Sequence, residues 1–513
     1  MKLVTTEPRH GVAGFEITRS LPEPGPWILA GAIGGLVAAA AAKPPLLLAT
    51  IGLTVALVLI TAVARNPVLG ARIMVIGGPL LAGFERGRIA GPLRANELLL
   101  ALVLIGVISA YISGWNPSFR WHPADTAIAV LFGAGVVLPI LFAFGRDRGP
   151  SFDDILSTMT LAKGCALYVL FRVVHESRAD LYRTVTVTIS VAVALSVVAV
   201  FDALNIGGVA NLLDRIAPSG SGPSSDDNRA SATIANPIGF GGYLVMHLAL
   251  ALPLALGRTD PRVSKRAMAS VALLSIGILA TGQISVWLSA AVVTGLVAIL
   301  GRYRISRKKA LAGLAVALMG VALLWPVAQR RTEGFGAQAI PSEKLNDIAS
   351  LEPHRQPLER YYADPGSSWD VRWHNLQTYF LPDLLEPENL ILGVRPLARV
   401  VPDEPWFEFV WIESGAVWLL YVGGVPLLGA FMFLVWRLLQ MGRREPTASA
   451  VRSFAVTASG IAAALAVLML FDPHLTLRGT SDALYPILGI CVVACALSTL
   501  DPTPDVVKGG HRR

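Results

Sequence analysis

Four short constellations carry the residue types that chemistry needs. The first is Arg229-Ala230-Ser231-Ala232-Thr233-Ile234-Ala235-Asn236-Pro237, continued by Ile238-Gly239-Phe240-Gly241-Gly242-Tyr243-Leu244. Pro237 suits the first turn of a helix, and Asn236 before it suits the capping of free N–H groups. A helix N-terminus beside a permanently charged guanidinium is an anion site. The competing use is that Arg229 snorkels at an interface while the glycines let helices pack closely.

The second is Asp370-Val371-Arg372-Trp373-His374-Asn375, with Arg355 and Arg360 upstream and Arg395 and Arg399 downstream. Arginines hold anions through charge-assisted, bidentate bonds. In the same stretch they also have Glu352, Glu359, Asp364 and Glu386 to pair with. His374 is the residue type that titrates near neutral pH and serves as a general base, although a lone histidine beside a tryptophan is more often structural. Trp373 and Tyr379 are flat apolar platforms of the sort that pack on sugar faces. Glu408 and Glu413 form the third constellation, as carboxylate alternatives at a hydrophobic boundary. Asp472-Pro473-His474 with Arg478 is the fourth, where interfacial capping weighs more than cation supply. Lys163 lies inside an apolar window and has no assigned role.

These residues need positioning elements, and composition says what kind. Of 513 residues, 54% are hydrophobic and only 15% charged, with a mean hydropathy of +0.58. Soluble domains carry roughly 25% charged residues. Apolar windows fall at 26–42, 44–64, 96–113, 124–144, 153–173, 185–205, 237–257, 267–281, 284–300, 309–327, 410–436, 453–471 and 482–499. The expectation is an all-α, polytopic integral membrane protein of about 12–14 transmembrane helices with one long extracytoplasmic loop. The stretch Ala71–Phe84, with Gly77-Gly78-Pro79 inside it, reads as a short span or a re-entrant piece.

The net charge of +8 comes from basic residues in short inter-helix loops. That pattern is the positive-inside rule, not a nucleic-acid footprint. It divides the chain into a cytoplasmic segment 1–25, helices through 26–327 with an outer loop 206–236, and a large extracytoplasmic loop 328–408. Helices through 409–499 and a cytoplasmic tail 500–513 complete it. The loop's aromatic content, including Trp369, Trp406 and Phe407, predicts an ordered lid over a membrane-embedded site. The N-terminus shows no signal-peptide pattern. Cys165, Cys491 and Cys495 lie in apolar windows and read as buried, inert thiols. There is no P-loop, no HExxH and no clustered Cys/His.

The first constellation resembles the Arg-x-x-Gly/Ala-Thr-Phe-x-Asn-Pro-Asn pattern of the O-antigen ligase/polymerase superfamily, multi-spanning glycan-joining enzymes of the bacterial envelope. Three features agree with it. A Thr281-Gly282 turn leads into a helix containing Trp287, a long loop separates the later helices, and Ile412-Glu413-Ser414-Gly415…Tyr421-Val422-Gly423-Gly424 is similar to the family's Glu-x-Gly…Gly. The resemblance spans residues 95–499. Gln283-Ile284-Ser285 stands where the family has Ser-Arg-Gly, and Glu404-Pro405-Trp406 where many members have His-Asn. Those departures favour a polymerase-like or otherwise divergent member.

The resemblance implies a metal-independent glycosyltransferase of the cytoplasmic (inner) membrane, without a cofactor, acting in O-antigen or exopolysaccharide biosynthesis. Its partners would be an undecaprenyl-diphosphate-linked glycan, a glycan or lipid acceptor, membrane lipid and a candidate chain-length regulator, with no nucleic acid. Arg229, Arg372, Arg395 and Asn236 would bind the diphosphate. His374 or Glu413 would assist the acceptor hydroxyl beside Arg372, and Trp373 and Tyr379 would contact sugar. The alternatives are a secondary transporter or lipid-linked glycan flippase, and a non-catalytic scaffold. A transporter predicts ionisable residues facing a midplane cavity, whereas here they concentrate at the outer edge.

Overall fold

A computed structural model describes residues 44–84, 94–146, 149–216, 229–257, 261–301, 322, 368–400, 410–444 and 451–498. The windows at 26–42 and 309–327 lie outside them or nearly so, as do Arg355, Arg360, Glu404 and Glu408. The chain divides into two compact units, Met1–Thr61 and Ala62–Arg513. The described part of the first unit is the beginning of helix α1 (Pro44–Arg65). Everything below concerns the second.

Helices α2 (Pro67–Leu81), α3 (Ala95–Ile112), α4 (Pro123–Gly145), α5 (Phe152–Val174) and α6 (Arg178–Ala203) come first. A short α7 (Val209–Ile216) precedes α8 (Pro237–Leu256), α9 (Pro261–Ala280) and α10 (Ile284–Gly301). Three small helices, α11 (Ser368–Asn375), α12 (Leu381–Leu384) and α13 (Pro387–Leu392), lead to a two-residue ladder. Its strands β1 (Arg399–Val400) and β2 (Val410–Trp411) are antiparallel, with Arg399 opposite Trp411. The chain closes with α14 (Gly415–Arg444), α15 (Arg452–Leu468) and α16 (Thr480–Ser498).

Among the described residues nine helical segments are long and apolar enough to cross a membrane, and three shorter apolar helices accompany them. The protein is a multi-pass helical membrane protein. The starts follow local chemistry. Proline opens α2, α4, α8 and α13, where its missing N–H costs nothing. Ser151 accepts from the Asp154 N–H at 3.1 Å while Asp154 accepts from the Ser151 N–H at 3.0 Å, a capping box that fixes the start of α5.

The core sits on α8, whose membrane window is 94% buried, followed by α16 at 83%. Helices apolar all round belong in the middle of a bundle, and α9, α10, α15, α16 and α6 surround α8. Cys165 on α5 and Cys491 and Cys495 on α16 are buried. The bundle has two distinct ends. One, the loop end, gathers residues 79–84, 149–154, 229–237, 280–284, 368–400, 410–415 and 469–482. The other, the basic end, gathers the 174–178 turn and the ends carrying Arg262, Arg443 and Arg452.

Two features bear on the site. Helix α2 links the ends: Arg72 pairs with Asp180 at 2.9 Å near the basic end, and Thr233 donates to the Pro79 carbonyl at 2.9 Å near the loop end. Of the stretch 71–84, residues 71–81 are one continuous helix with contacts toward both ends, and 82–84 bend away after it. Helix α14 is broken at Gly424, whose φ of 62° and ψ of −157° only glycine adopts readily. The α13 segment docks into this break. Val394 and Arg395 N–H donate to the freed Tyr421 carbonyl at 2.6 and 3.3 Å, and Arg146 donates to the Val394 and Gly393 carbonyls at 2.5 and 2.7 Å.

Candidate functional site

At the loop end, residues 229–236 form a tight connection ahead of α8. The carboxylate of Asp202, at the end of α6, accepts from the Ser231 and Ala232 N–H groups at 3.0 and 3.2 Å. Ala230 N–H donates to the Ala280 carbonyl at 3.2 Å, which ties the connection to the turn before Thr281-Gly282. Ala232 and Ala235 take left-handed φ values of 44° and 58°. That conformation costs an L-residue about 1–2 kcal/mol, so the surrounding bonds hold it. The Asn236 side chain accepts from Gly239 N–H at 2.8 Å and caps α8. Arg229 stands half-buried where this connection begins.

The second group comes from three segments far apart in sequence. Arg372, on α11, pairs through Nε with Glu413 at 2.9 Å, and the two side chains are 22% and 44% exposed. Asp472, in the turn after α15, is 7% exposed. Burial pushes its carboxyl up to about 6, with Glu413 raising it further and Arg372 opposing. Trp373 and His374 are exposed beside the pair, and Tyr379 is half-buried on the following turn.

His474 follows in the same turn and is fully buried. Its Nδ1 lies 2.9 Å from Thr480 Oγ1, while the Thr480 hydroxyl donates to the Gly239 carbonyl at 3.3 Å. Thr480 has one proton and spends it on Gly239, so the histidine Nδ1–H is the donor. The ring thereby fastens the start of α16 to the start of α8. Burial lowers His474 to about 3, so it stays neutral. Arg478 donates to the Ala82 carbonyl, which joins the same turn to the end of α2.

Arg395 belongs elsewhere. It pairs with Asp154 at 3.2 Å, and Asp154 also accepts from Leu397 N–H at 3.1 Å. Arg399 pairs with Asp153 at 3.0 Å. These pairs fasten the loop to α5. Arg372 and Glu413 are thus brought together, Arg229 and Asn236 share one connection, and Arg395 is placed with the α5 acids.

The sequence set Asp472 among interfacial caps and did not mark Asp482, and the fold buries both. Lys163, in the middle of α5, pairs with Asp482 at 2.9 Å, and their side chains are 10% and 5% exposed. A small cavity lined by Asn96, Lys163 and Asp482 lies between α2, α3, α5 and α16. The available signal was a single lysine inside one apolar window and a single aspartate at the edge of another, since neither is stable in lipid alone. No protein-family model matches this chain, and no curated protein matches it. The likeness to the O-antigen ligase/polymerase superfamily therefore rests on the short motifs alone.

Proposed function

We propose that the chain is a metal-independent membrane glycosyltransferase. It joins a glycan carried on polyprenyl diphosphate to another glycan or to a lipid acceptor, on the outer side of the cytoplasmic membrane. The observation that carries this reading is the convergence of Arg372, Glu413 and Asp472 from three separate segments at one end of the bundle. Transfer from a lipid diphosphate needs a cation for the departing charge and a carboxylate or imidazole for the acceptor proton. This cluster holds both kinds of group. Arg229 and Arg372 then hold the diphosphate, Asn236 orders the start of α8 beneath it, and Trp373 and Tyr379 offer faces to sugar.

Charge supports one orientation. Arg172, Arg178, Arg443 and Arg452 lie at the end opposite the cluster, which supports a cytoplasmic basic end and an outward loop end. With the windows at 26–42 and 309–327 added to the described helices, about fourteen crossings result.

Glycan analysis of a strain lacking this gene, complemented with wild type or Arg372→Ala, tests the reading. Single-repeat lipid-linked glycan accumulating with both empty vector and mutant supports a polymerase. Full-length polymer retained on its carrier supports a ligase. Unchanged surface glycan, or complete rescue by the mutant, overturns the reading. A second reading, a secondary transporter or lipid-linked glycan flippase, is favoured by the buried Lys163–Asp482 pair beside its cavity. It expects Asp482→Asn to leave lipid-linked glycan trapped at the inner leaflet.

A further inference from the structure

The Glu-x-Gly stretch before α14 has a geometric purpose. A Cβ on Gly415 would stand 2.8 Å from the Asp472 carbonyl oxygen, so only glycine lets the turn after α15 lie against the start of α14. Ala416 N–H then donates to the Met469 carbonyl at 3.1 Å, and Asp472 N–H to the Leu468 carbonyl at 3.1 Å. The Asp472 carbonyl accepts from His474 N–H at 2.8 Å. The turn is held at both ends against the residue two positions after Glu413, and its one carboxyl feels the charges of Glu413 and Arg372.

We propose that Asp472 is the general base of the reaction, a step that rests on the glycosyltransferase reading above. The acceptor O–H bond breaks and its proton passes to the Asp472 carboxylate. The acceptor oxygen bonds to the anomeric carbon, the bond from that carbon to the phosphate oxygen breaks, and the electron pair leaves on the diphosphate facing Arg372. The proton then passes from Asp472 to water.

The neighbours fit the assignment. Glu413 is already engaged by Arg372, and His474 is neutral and turned to Thr480. The charged groups acting on Asp472 are Arg372 from α11 and Glu413 from the start of α14. A carboxyl poised at about 6 is largely ionised at neutral pH yet far more basic than an ordinary one.

The test uses the full-length protein in liposomes, supplied with polyprenyl-diphosphate glycan extracted from the deletion strain. Wild type should lose single-turnover rate as pH falls through about 6. Asp472→Asn should lower the rate about 10²–10⁴-fold, abolish that acid limb and still bind the lipid-linked glycan. Asp472→Glu should restore part of the rate with its acid limb displaced. Where Asp472→Asn fails to fold, the position of the acid limb in Asp472→Glu decides alone, and a limb identical to wild type overturns the assignment. Asp472→Asn turning over within about threefold of wild type, while Arg372→Ala is inactive, overturns the assignment and leaves the glycosyltransferase reading standing. Full activity of both variants, or no joined product from wild type, overturns that reading and the base with it.

Discussion

Two buried carboxyls at opposite ends of the bundle, Asp125 and Asp472, are held in opposite ways. At the basic end, Asp125 accepts from the Tyr168 hydroxyl at 2.5 Å, from Arg172 Nε at 3.2 Å and from His122 N–H at 2.6 Å. Arg172 also donates to the Arg120 carbonyl and lies 4.8 Å from the centre of the Phe119 ring. Asp125 and Arg172 are 5% and 4% exposed, and their bonds close on each other. At the loop end, Glu413 is 44% exposed. Asp472 faces a cation and a second carboxylate with no hydrogen-bond donor on its carboxyl among the described residues. Closed networks hold helices together, whereas an open one keeps chemical capacity in reserve.

That contrast can be broken or sharpened by stability measurements on the purified protein. The largest effect is expected from Arg172→Ala, which strands a buried carboxylate and should cost about 3–5 kcal/mol, read as a lower melting temperature or loss of monodisperse protein. Asp472→Asn should move the other way. Its carboxyl titrates at about 6 when folded and near 3.9 when unfolded. The unfolded chain therefore binds fewer protons between those values, and wild-type stability falls as pH rises from about 4 to 6. Removing the charge should stabilise the protein by about 2–3 kcal/mol at pH 8, with the gain vanishing below pH 4. A flat difference across that range would show that the loop-end carboxyl is no more strained than Asp125.

Gly415→Ala should cost about 1–3 kcal/mol through overpacking against the Met469 and Asp472 carbonyls. It should also lower glycan joining by displacing Asp472. The smallest stability change is expected from Arg372→Ala, below about 1 kcal/mol because the pair is partly exposed. In the same variant glycan joining should be lost. A loss of stability at Arg372 as large as that at Arg172 would erase the distinction between the ends.

Much of the helical frame was legible in the sequence, because long apolar runs have few alternatives in a membrane. The windows at 124–144, 153–173, 237–257 and 284–300 match α4, α5, α8 and α10 to within a residue or two. The Asn236 cap and Pro237 start were readable for the same local reason. What escaped were contacts across distance. Asp154 claims Arg395 from 241 residues away, and Asp482 claims Lys163 from the far end of the chain. Neither pairing leaves a local signal. The break in α14 also escaped, since Gly423-Gly424 looks the same whether it packs helices or interrupts one. The part of the expected lid that is described, 368–400, is fastened at Tyr421, Arg146 and Asp154.

Helix α2 has only 15 residues, about 22 Å at 1.5 Å per residue, against a hydrocarbon core of about 30 Å. Ile76 and Leu80 on its flank are 43% and 45% exposed, so lipid meets it there. A span that short is accommodated by thinning of the bilayer, by snorkelling of flanking residues or by cover from longer neighbours. Its loop-end turn lies against Thr233, on the connection that carries Arg229. Thinning at that point would lower any lipid headgroup toward the arginine, so membrane thickness would set how near the two come.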